Sequence, residues 1–126
     1  MVWRRTDSGK IAEEEAVRFL TARGYRIIQR NFRTRWAEID LVGLHRGVIC
    51  FIEVKMRSQL EFGLPQEAVD KAKQKRIALA ALSFLQKQKK LDAKVRFDVV
   101  SVTGNIDSPK ISLIKNAFEI EGDGWL

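Results

Sequence analysis

The chain has 126 residues, a length typical of one compact domain, and we expect residues 1–126 to form a single domain. Its formal net charge of +7 favours polyanionic partners, nucleic acid first among them, although a protein can also simply be basic. No apolar run is long enough to cross a bilayer, and the N-terminus lacks the apolar stretch of a signal peptide. We therefore expect a cytoplasmic protein without a membrane partner.

The content of metal-binding residue types restricts which metals are suitable. Cys50 lies in an apolar run, residues 48–52, and is best interpreted as a buried core residue. His45, the single histidine, falls in a predicted turn over residues 43–47. One cysteine and one histidine cannot build a zinc site of nitrogen and sulfur ligands. A metal ion here would need oxygen ligands, which favours Mg²⁺ or Mn²⁺.

The first half of the chain predicts a helix followed by three strands. Apolar residues at helical spacing predict a helix from Ser8, which Gly24 terminates. Residues 25–30 form a short predicted strand. Residues 37–42 alternate, which places Ile39 and Leu41 on one face, and residues 48–54 are almost continuously apolar, as in a central strand covered on both faces.

The second half predicts a long helix and one or two further strands. The helix spans residues 66–89, a strand follows over residues 94–102, and residues 110–114 form a last strand leading into residues 116–118. This order predicts an α/β fold with a mixed central sheet flanked by helices. The second helix should connect its two strands as a right-handed parallel crossover.

Acidic residues occur where two of the predicted strands are otherwise apolar. Glu53 and Lys55 share one face at the end of the central strand, and Asp40 lies on the preceding strand beside Glu38. Neighbouring carboxylates repel each other unless a cation neutralises them, and Mg²⁺ typically takes one or two carboxylates with several waters. The pattern predicts a metal site in which Lys55 orients an attacking water or offsets developing charge. Glu53 and Lys55 could instead form a surface ion pair at a strand end.

The succession Asp40, then Glu53-Val54-Lys55, resembles the signature of the PD-(D/E)XK nuclease superfamily, which has the restriction-endonuclease-like fold. More narrowly, the chain resembles the YraN-like family of small bacterial proteins, related to archaeal Holliday-junction resolvases. The matching segments cover most of the chain, at residues 9–16, 24–25, 30–33, 38–42, 51–57, 96–100 and 116–118. Two departures are Ala37, where the family usually has glycine, and the absence of the proline of the superfamily motif.

The resemblance implies a DNA-hydrolysing nuclease, with branched or structured DNA as the substrate class. It implies that Asp40 and Glu53 bind Mg²⁺ or Mn²⁺, that Lys55 assists the attacking water, and that Glu13 completes the metal site. The run of three glutamates at residues 13–15 is also explained by the helix macrodipole. A fold of this kind can also serve as a nucleic-acid-binding module with little hydrolysis, or as a protein-interaction domain with a relic acidic cluster.

Cationic residues beside the acidic strands are the candidates for contact with DNA, which we prefer over RNA as the partner. Arg33, Arg35 and Arg57 flank the acidic strands in sequence, and Lys73 lies one helical turn before Ile77, on the stripe that should face the site. A solvated basic rim is the alternative interpretation. Resolvase-like relatives that cut two strands work as two-fold dimers, so the resemblance also allows a homodimer.

Overall fold

The computed structural model describes residues 5–57, 69–105 and 108–119, and within these ranges the chain forms two helices and five strands. The elements are α1 (Arg5–Ala22), β1 (Arg26–Arg33), β2 (Glu38–His45), β3 (Val48–Arg57), α2 (Lys71–Lys87), β4 (Val95–Asn105) and β5 (Ser108–Phe118). The strands form one sheet in the order β1-β2-β3-β4-β5. Neighbouring strands are antiparallel except β3 and β4, which are parallel. The predicted α/β class, element order and parallel connection through the second helix are confirmed.

Two apolar clusters, one associated with each helix, form the core. Alternate residues of β3 separate into them: Phe51 belongs to the cluster that contains α2, and Ile52 to the cluster that contains α1. Both side chains are almost completely buried, as expected for a central strand covered on both faces. No helix in the described ranges has the length and apolar character needed to cross a bilayer.

Several element boundaries differ from the sequence-based predictions. The turn between β2 and β3 contains only Arg46 and Gly47, both at positive φ, and His45 belongs to β2 and is buried rather than lying in a turn. A two-residue turn with both φ values positive matches the right-handed twist of a hairpin. This explains why β2 extends further towards the turn than predicted. Helix α2 begins at Lys71 rather than residue 66, because Asp70 is its N-cap; residues 66–68 lie outside the described residues.

The prediction that Ile39 and Leu41 share one face is wrong. Ile39 packs in the cluster of α2, whereas Leu41 packs in the cluster of α1. Two residues of a regular strand at this spacing would point to the same side, so the alternation of β2 is interrupted between them. The residue at the interruption is Asp40.

A buried polar network joins the start of β1 to β4 and β5. The Asp98 carboxylate accepts hydrogen bonds from the Tyr25 hydroxyl at 3.1 Å, from the Arg96 Nε at 2.9 Å and from the Asn116 backbone N–H at 2.9 Å. Arg96 Nη2 also donates to the Tyr25 hydroxyl at 2.7 Å, and the Tyr25 ring stacks on His45. Each polar group is satisfied by another, which makes this a structural network.

Replacing Asp98 with alanine should destabilise the protein by about 3–5 kcal/mol, because the Arg96 guanidinium would lose its buried counter-ion. Urea unfolding measures this loss. Asp92→Ala is the matched control, since Asp92 is exposed, and it should change stability by less than about 0.5 kcal/mol. Equal effects of the two substitutions would contradict a structural role for the network.

Candidate functional site

Asp40 lies where β2 separates from β3. The paired residues of these strands run from His45 and Val48 at the turn to Leu41 and Ile52. One residue further, the Asp40 Oδ2 atom accepts a hydrogen bond from the Val54 amide at 2.8 Å. A side-chain oxygen therefore accepts a hydrogen bond from a backbone amide of β3 at the point where the regular ladder ends. This contact fixes the carboxylate against the central strand.

Three other carboxylates interact electrostatically with Asp40. We call the four residues together the acidic cluster: Glu13, Glu38, Asp40 and Glu53. They come from α1, from β2 and from β3. The charge of each of the other three members raises the pKa of Asp40. Glu13 and Glu53, which were predicted from the sequence as metal ligands together with Asp40, therefore lie near enough to Asp40 to act on it electrostatically, and Glu38 does so as well.

Two members of the cluster are joined by an amide. The Asn31 Nδ2 group donates to the Glu13 Oε1 atom at 3.0 Å and to the Glu38 Oε1 atom at 2.9 Å. Asn31 has a φ of 51°, a left-handed conformation that asparagine tolerates better than most residues. Asn31 on β1 thereby links α1, which carries Glu13, to β2, which carries Glu38.

Cationic side chains form ion pairs with two carboxylates of the cluster. The Lys73 ammonium lies 2.6 Å from the Glu53 Oε1 atom, and the Arg33 Nε atom lies 3.2 Å from the Glu38 Oε2 atom. The Glu53 pair is the more protected, because the Glu53 side chain is only 11% exposed, whereas that of Arg33 is 79% exposed. Exposed pairs contribute little, so the Lys73 contact is the stronger of the two.

Asp40 and Glu13 are the two members of the cluster without an ion pair among the described residues, and Glu13 is held by the Asn31 amide. Burial is the largest cause that raises the pKa of Asp40, followed by the negative charge of Glu53, and the Val54 amide acts in the opposite direction. The net effect raises the pKa of Asp40 to about 8. A carboxylate in this position is costly to ionise unless a cation is bound beside it.

The donor chemistry of Asp40 and Glu53 fits Mg²⁺ or Mn²⁺. Both ions prefer oxygen ligands, and Mg²⁺ is commonly held by one or two carboxylates together with waters. Within residues 5–57, 69–105 and 108–119, no group of three or more histidine, cysteine or acidic residues is arranged to hold one metal ion. Glu13, predicted as a third ligand, is instead engaged by Asn31. The residues fit a two-carboxylate site.

The other residues predicted from the sequence lie on β3 and in the loop between β1 and β2. Lys55 follows Glu53 by two positions on β3, which places both on the same face, and it forms no ion pair in the described part of the chain. Arg35 is exposed and stacks over Trp36, with its guanidinium carbon 4.7 Å from the ring centroid. Arg57 is the last residue of β3, and its side chain lies outside what the structure describes.

Comparison with known proteins places the chain in a family. The family described as "Uncharacterised protein family UPF0102" matches residues 12–102. A UPF0102 protein of Desulforapulum autotrophicum is 44% identical over 113 residues, covering 90% of this chain and 93% of the relative. One of Geobacter metallireducens is 46% identical over 112 residues, covering 89% and 92%, and one of Myxococcus xanthus is 40% identical over 115 residues, covering 91% of each.

The chain belongs to the UPF0102 family. This confirms the YraN-like resemblance found from the sequence motifs. The acidic cluster lies inside the segment that the family matches, since its members span residues 13–53. The site is therefore part of the region that relates this UPF0102 protein to its relatives.

The role of Asn31 and the partner of Lys73 were not predicted from the sequence. Asn31 is separated from Glu13 by 18 positions, and Lys73 from Glu53 by 20. Two indirect signals were present. Asparagine tolerates the left-handed conformation, so Asn31 could mark an irregular position of its strand, and a lysine one turn before Ile77 lies on the side of the helix that faces the sheet. Neither signal identifies the carboxylate that is contacted.

With EDTA present, this UPF0102 protein should lose stability as the pH rises from 3.8 towards 8, the range between the ordinary and raised pKa of Asp40. In this range the folded protein keeps a proton on Asp40 that the unfolded chain releases, so rising pH favours unfolding by at most about 1.4 kcal/mol per pH unit. Urea unfolding at several pH values measures the effect.

Asp40→Asn is the informative comparison, because it keeps an acceptor for the Val54 amide and has no proton to lose. Its stability relative to the wild type should rise over the same pH range, whereas Glu15→Gln, which lies outside the cluster, should follow the wild type. Parallel pH profiles for Asp40→Asn and the wild type would show that Asp40 is not held protonated.

Proposed function

We propose that this UPF0102 protein is a Mg²⁺- or Mn²⁺-dependent endonuclease that hydrolyses phosphodiester bonds in branched or structured DNA. The observation that carries the proposal is the partly buried Asp40 carboxylate, which interacts electrostatically with Glu53 and lacks a cationic partner among the described residues. A divalent cation between the two carboxylates would relieve their repulsion. The resemblance to the nuclease motif suggests the reaction class, and the electrostatic interaction of Glu53 with Asp40 supports these two residues as the ligand pair.

Asp40 and Glu53 would hold the metal ion, with Glu13 available as a further ligand only if it leaves Asn31. A bound divalent ion supplies an activated water and stabilises negative charge on a phosphate. The Val54 amide fixes the Asp40 oxygen, so the ligand does not need to be ordered when the ion binds.

Lys55 is the proposed catalytic residue beside the ligand pair. Its position on the same face as Glu53, and the absence of an ion pair in the described part of the chain, leave its ammonium group available to the substrate. There it would orient the attacking water or stabilise the charge that develops on the phosphate in the transition state.

Arg33, Arg35 and Arg57 are proposed to bind the DNA backbone around the site. Arg33 and Arg35 are exposed, and the loop between β1 and β2 carries both Arg35 and the aromatic Trp36 close in sequence to the acidic strand β2. Guanidinium groups bind phosphates, and an aromatic ring can stack on an unpaired base, which suits branched DNA. A homodimer would present two such sites, one for each strand.

A second candidate function is a nucleic-acid-binding module that hydrolyses little or nothing. The observation in its favour is that Lys73 already neutralises Glu53, while no three-residue ligand group exists in the described ranges. Such a protein would bind DNA through the same arginines in a salt-dependent manner, without a need for metal.

The decisive experiment incubates the purified protein with four-way-junction, flapped, duplex and single-stranded DNA, in Mn²⁺, in Mg²⁺ or in EDTA. We expect cleavage of at least one structured substrate that requires metal. Asp40→Asn, Glu53→Gln and Lys55→Met should each reduce the rate by at least about 100-fold. Glu15→Gln is the control, because Glu15 pairs with Arg18 outside the cluster.

The two candidates separate in this assay. Salt-sensitive binding of DNA without cleavage by any variant would support the binding module and contradict the nuclease. Cleavage that survives both Asp40→Asn and Glu53→Gln would point to a contaminating enzyme. Failure to bind any of these DNAs at low salt would contradict both functions.

A further inference from the structure

Lys73 is bound to a carboxylate that the proposed reaction needs for metal. Its ammonium group lies 2.6 Å from the Glu53 Oε1 atom, and the two side chains are 30% and 11% exposed. A short, charge-assisted contact that is largely shielded from water is stronger than an ordinary surface ion pair. One oxygen of Glu53 is therefore occupied by a cation that belongs to the protein itself.

The position of Lys73 in its helix argues against a role in helix stability. It lies in the first turn of α2, where its backbone amide donates to the Oδ1 atom of the N-cap residue Asp70 at 2.8 Å. A positive charge at a helix N-terminus opposes the macrodipole, and this first turn contains no acidic residue. The unfavourable placement is offset by the contact with Glu53, which indicates that the contact is the function of this side chain.

The N-cap also determines where the ammonium group is held. The Asp70 contact fixes the backbone of Lys73 at the start of α2, and Ile77, one turn later, is buried against the sheet. The flexible side chain then spans from α2 to β3. Its ammonium group can change partner by rotation about side-chain bonds without any movement of the helix.

We infer that Lys73 is the internal counter-ion of Glu53 in the metal-free protein, and that a divalent cation displaces its ammonium group towards the phosphate of the nucleic acid. This inference rests on the proposed function, because it concerns the same metal site. Lys73 then has two successive roles: it first positions Glu53, and after metal binds it contacts a phosphate. Binding of metal releases the lysine, and the released lysine strengthens binding of the substrate.

Two consequences follow from competition for one carboxylate. Removing the ammonium group should strengthen binding of metal, since the ion no longer has to displace a cation. It should also weaken the coupling between metal and DNA, because the released charge would no longer be available to a phosphate. A lysine that only stabilised the fold would produce neither effect.

The test titrates MnCl₂ into the metal-free protein by isothermal calorimetry, with no DNA present. Lys73→Met should bind Mn²⁺ about tenfold more tightly than the wild type, and Lys73→Arg, which keeps a cation beside Glu53, should remain within about threefold of it. Lys75→Met is the matched control, because Lys75 is exposed two positions along the same helix and its loss removes the same charge. Its affinity should remain close to that of the wild type.

A second readout measures binding to a four-way DNA junction in CaCl₂ and in EDTA, at several salt concentrations. The gain in DNA affinity on addition of Ca²⁺ should be smaller in Lys73→Met than in the wild type. In Ca²⁺ the salt dependence of its binding should also correspond to about one phosphate contact fewer. Lys75→Met should keep the wild-type gain.

The outcomes distinguish the inference from the function beneath it. If the wild type binds Mn²⁺ and Lys73→Met binds it equally or more weakly, the inference is overturned while the metal site stands. If only Lys73→Met binds Mn²⁺, the ammonium group blocks the site and is not displaced by the metal, which overturns the inference while Glu53 stands as a metal ligand. If no protein binds Mn²⁺ at millimolar concentration, the inference and the proposed metal site both fail. Tighter binding by Lys75→Met to the same extent would reduce the effect to general charge and overturn the inference.

Discussion

The hydrogen bond from the Val54 amide to Asp40 is the contact on which the site depends. It lies where the pairing of β2 with β3 ends and where the alternation of β2 is interrupted, so that Ile39 and Leu41 pack on opposite faces of the sheet. A regular continuation of the ladder would leave the Val54 amide to a backbone carbonyl and would turn Asp40 away. Local irregularity of this kind is common beside active sites, because it re-aims a side chain.

The acidic cluster is costly to the fold, and its neighbours reduce that cost unequally. Asn31 donates to Glu13 and Glu38, and Lys73 neutralises Glu53, but Asp40 has a single amide donor. The repulsion that remains acts on Asp40, whose partial burial already raises its pKa. Proteins retain unfavourable electrostatics of this kind at functional sites and compensate for it elsewhere.

The sequence predicted those features that depend on local pattern, and it missed those that depend on distant partners. The apolar run before Glu53 was sufficient to predict a central strand, and the period of Ala12, Ala16 and Leu20 was sufficient to predict a helix. The interruption at Asp40 was missed because an alternating segment carries no mark of it. The contacts of Asn31 and Lys73 were missed because they join elements that only the folded chain brings together.

Two aspartates, Asp40 and Asp98, show why the folded structure was needed to separate site from scaffold. Each follows an apolar residue in a strand, and nothing in the local sequence distinguishes them. Asp98 accepts hydrogen bonds from Tyr25, Arg96 and Asn116, so that its charge and its oxygens are satisfied within the protein. Asp40 accepts one amide and faces other carboxylates. A carboxylate with a complete set of partners, such as Asp98, stabilises the fold. A carboxylate without a cationic partner, such as Asp40, is suited to bind a metal cation.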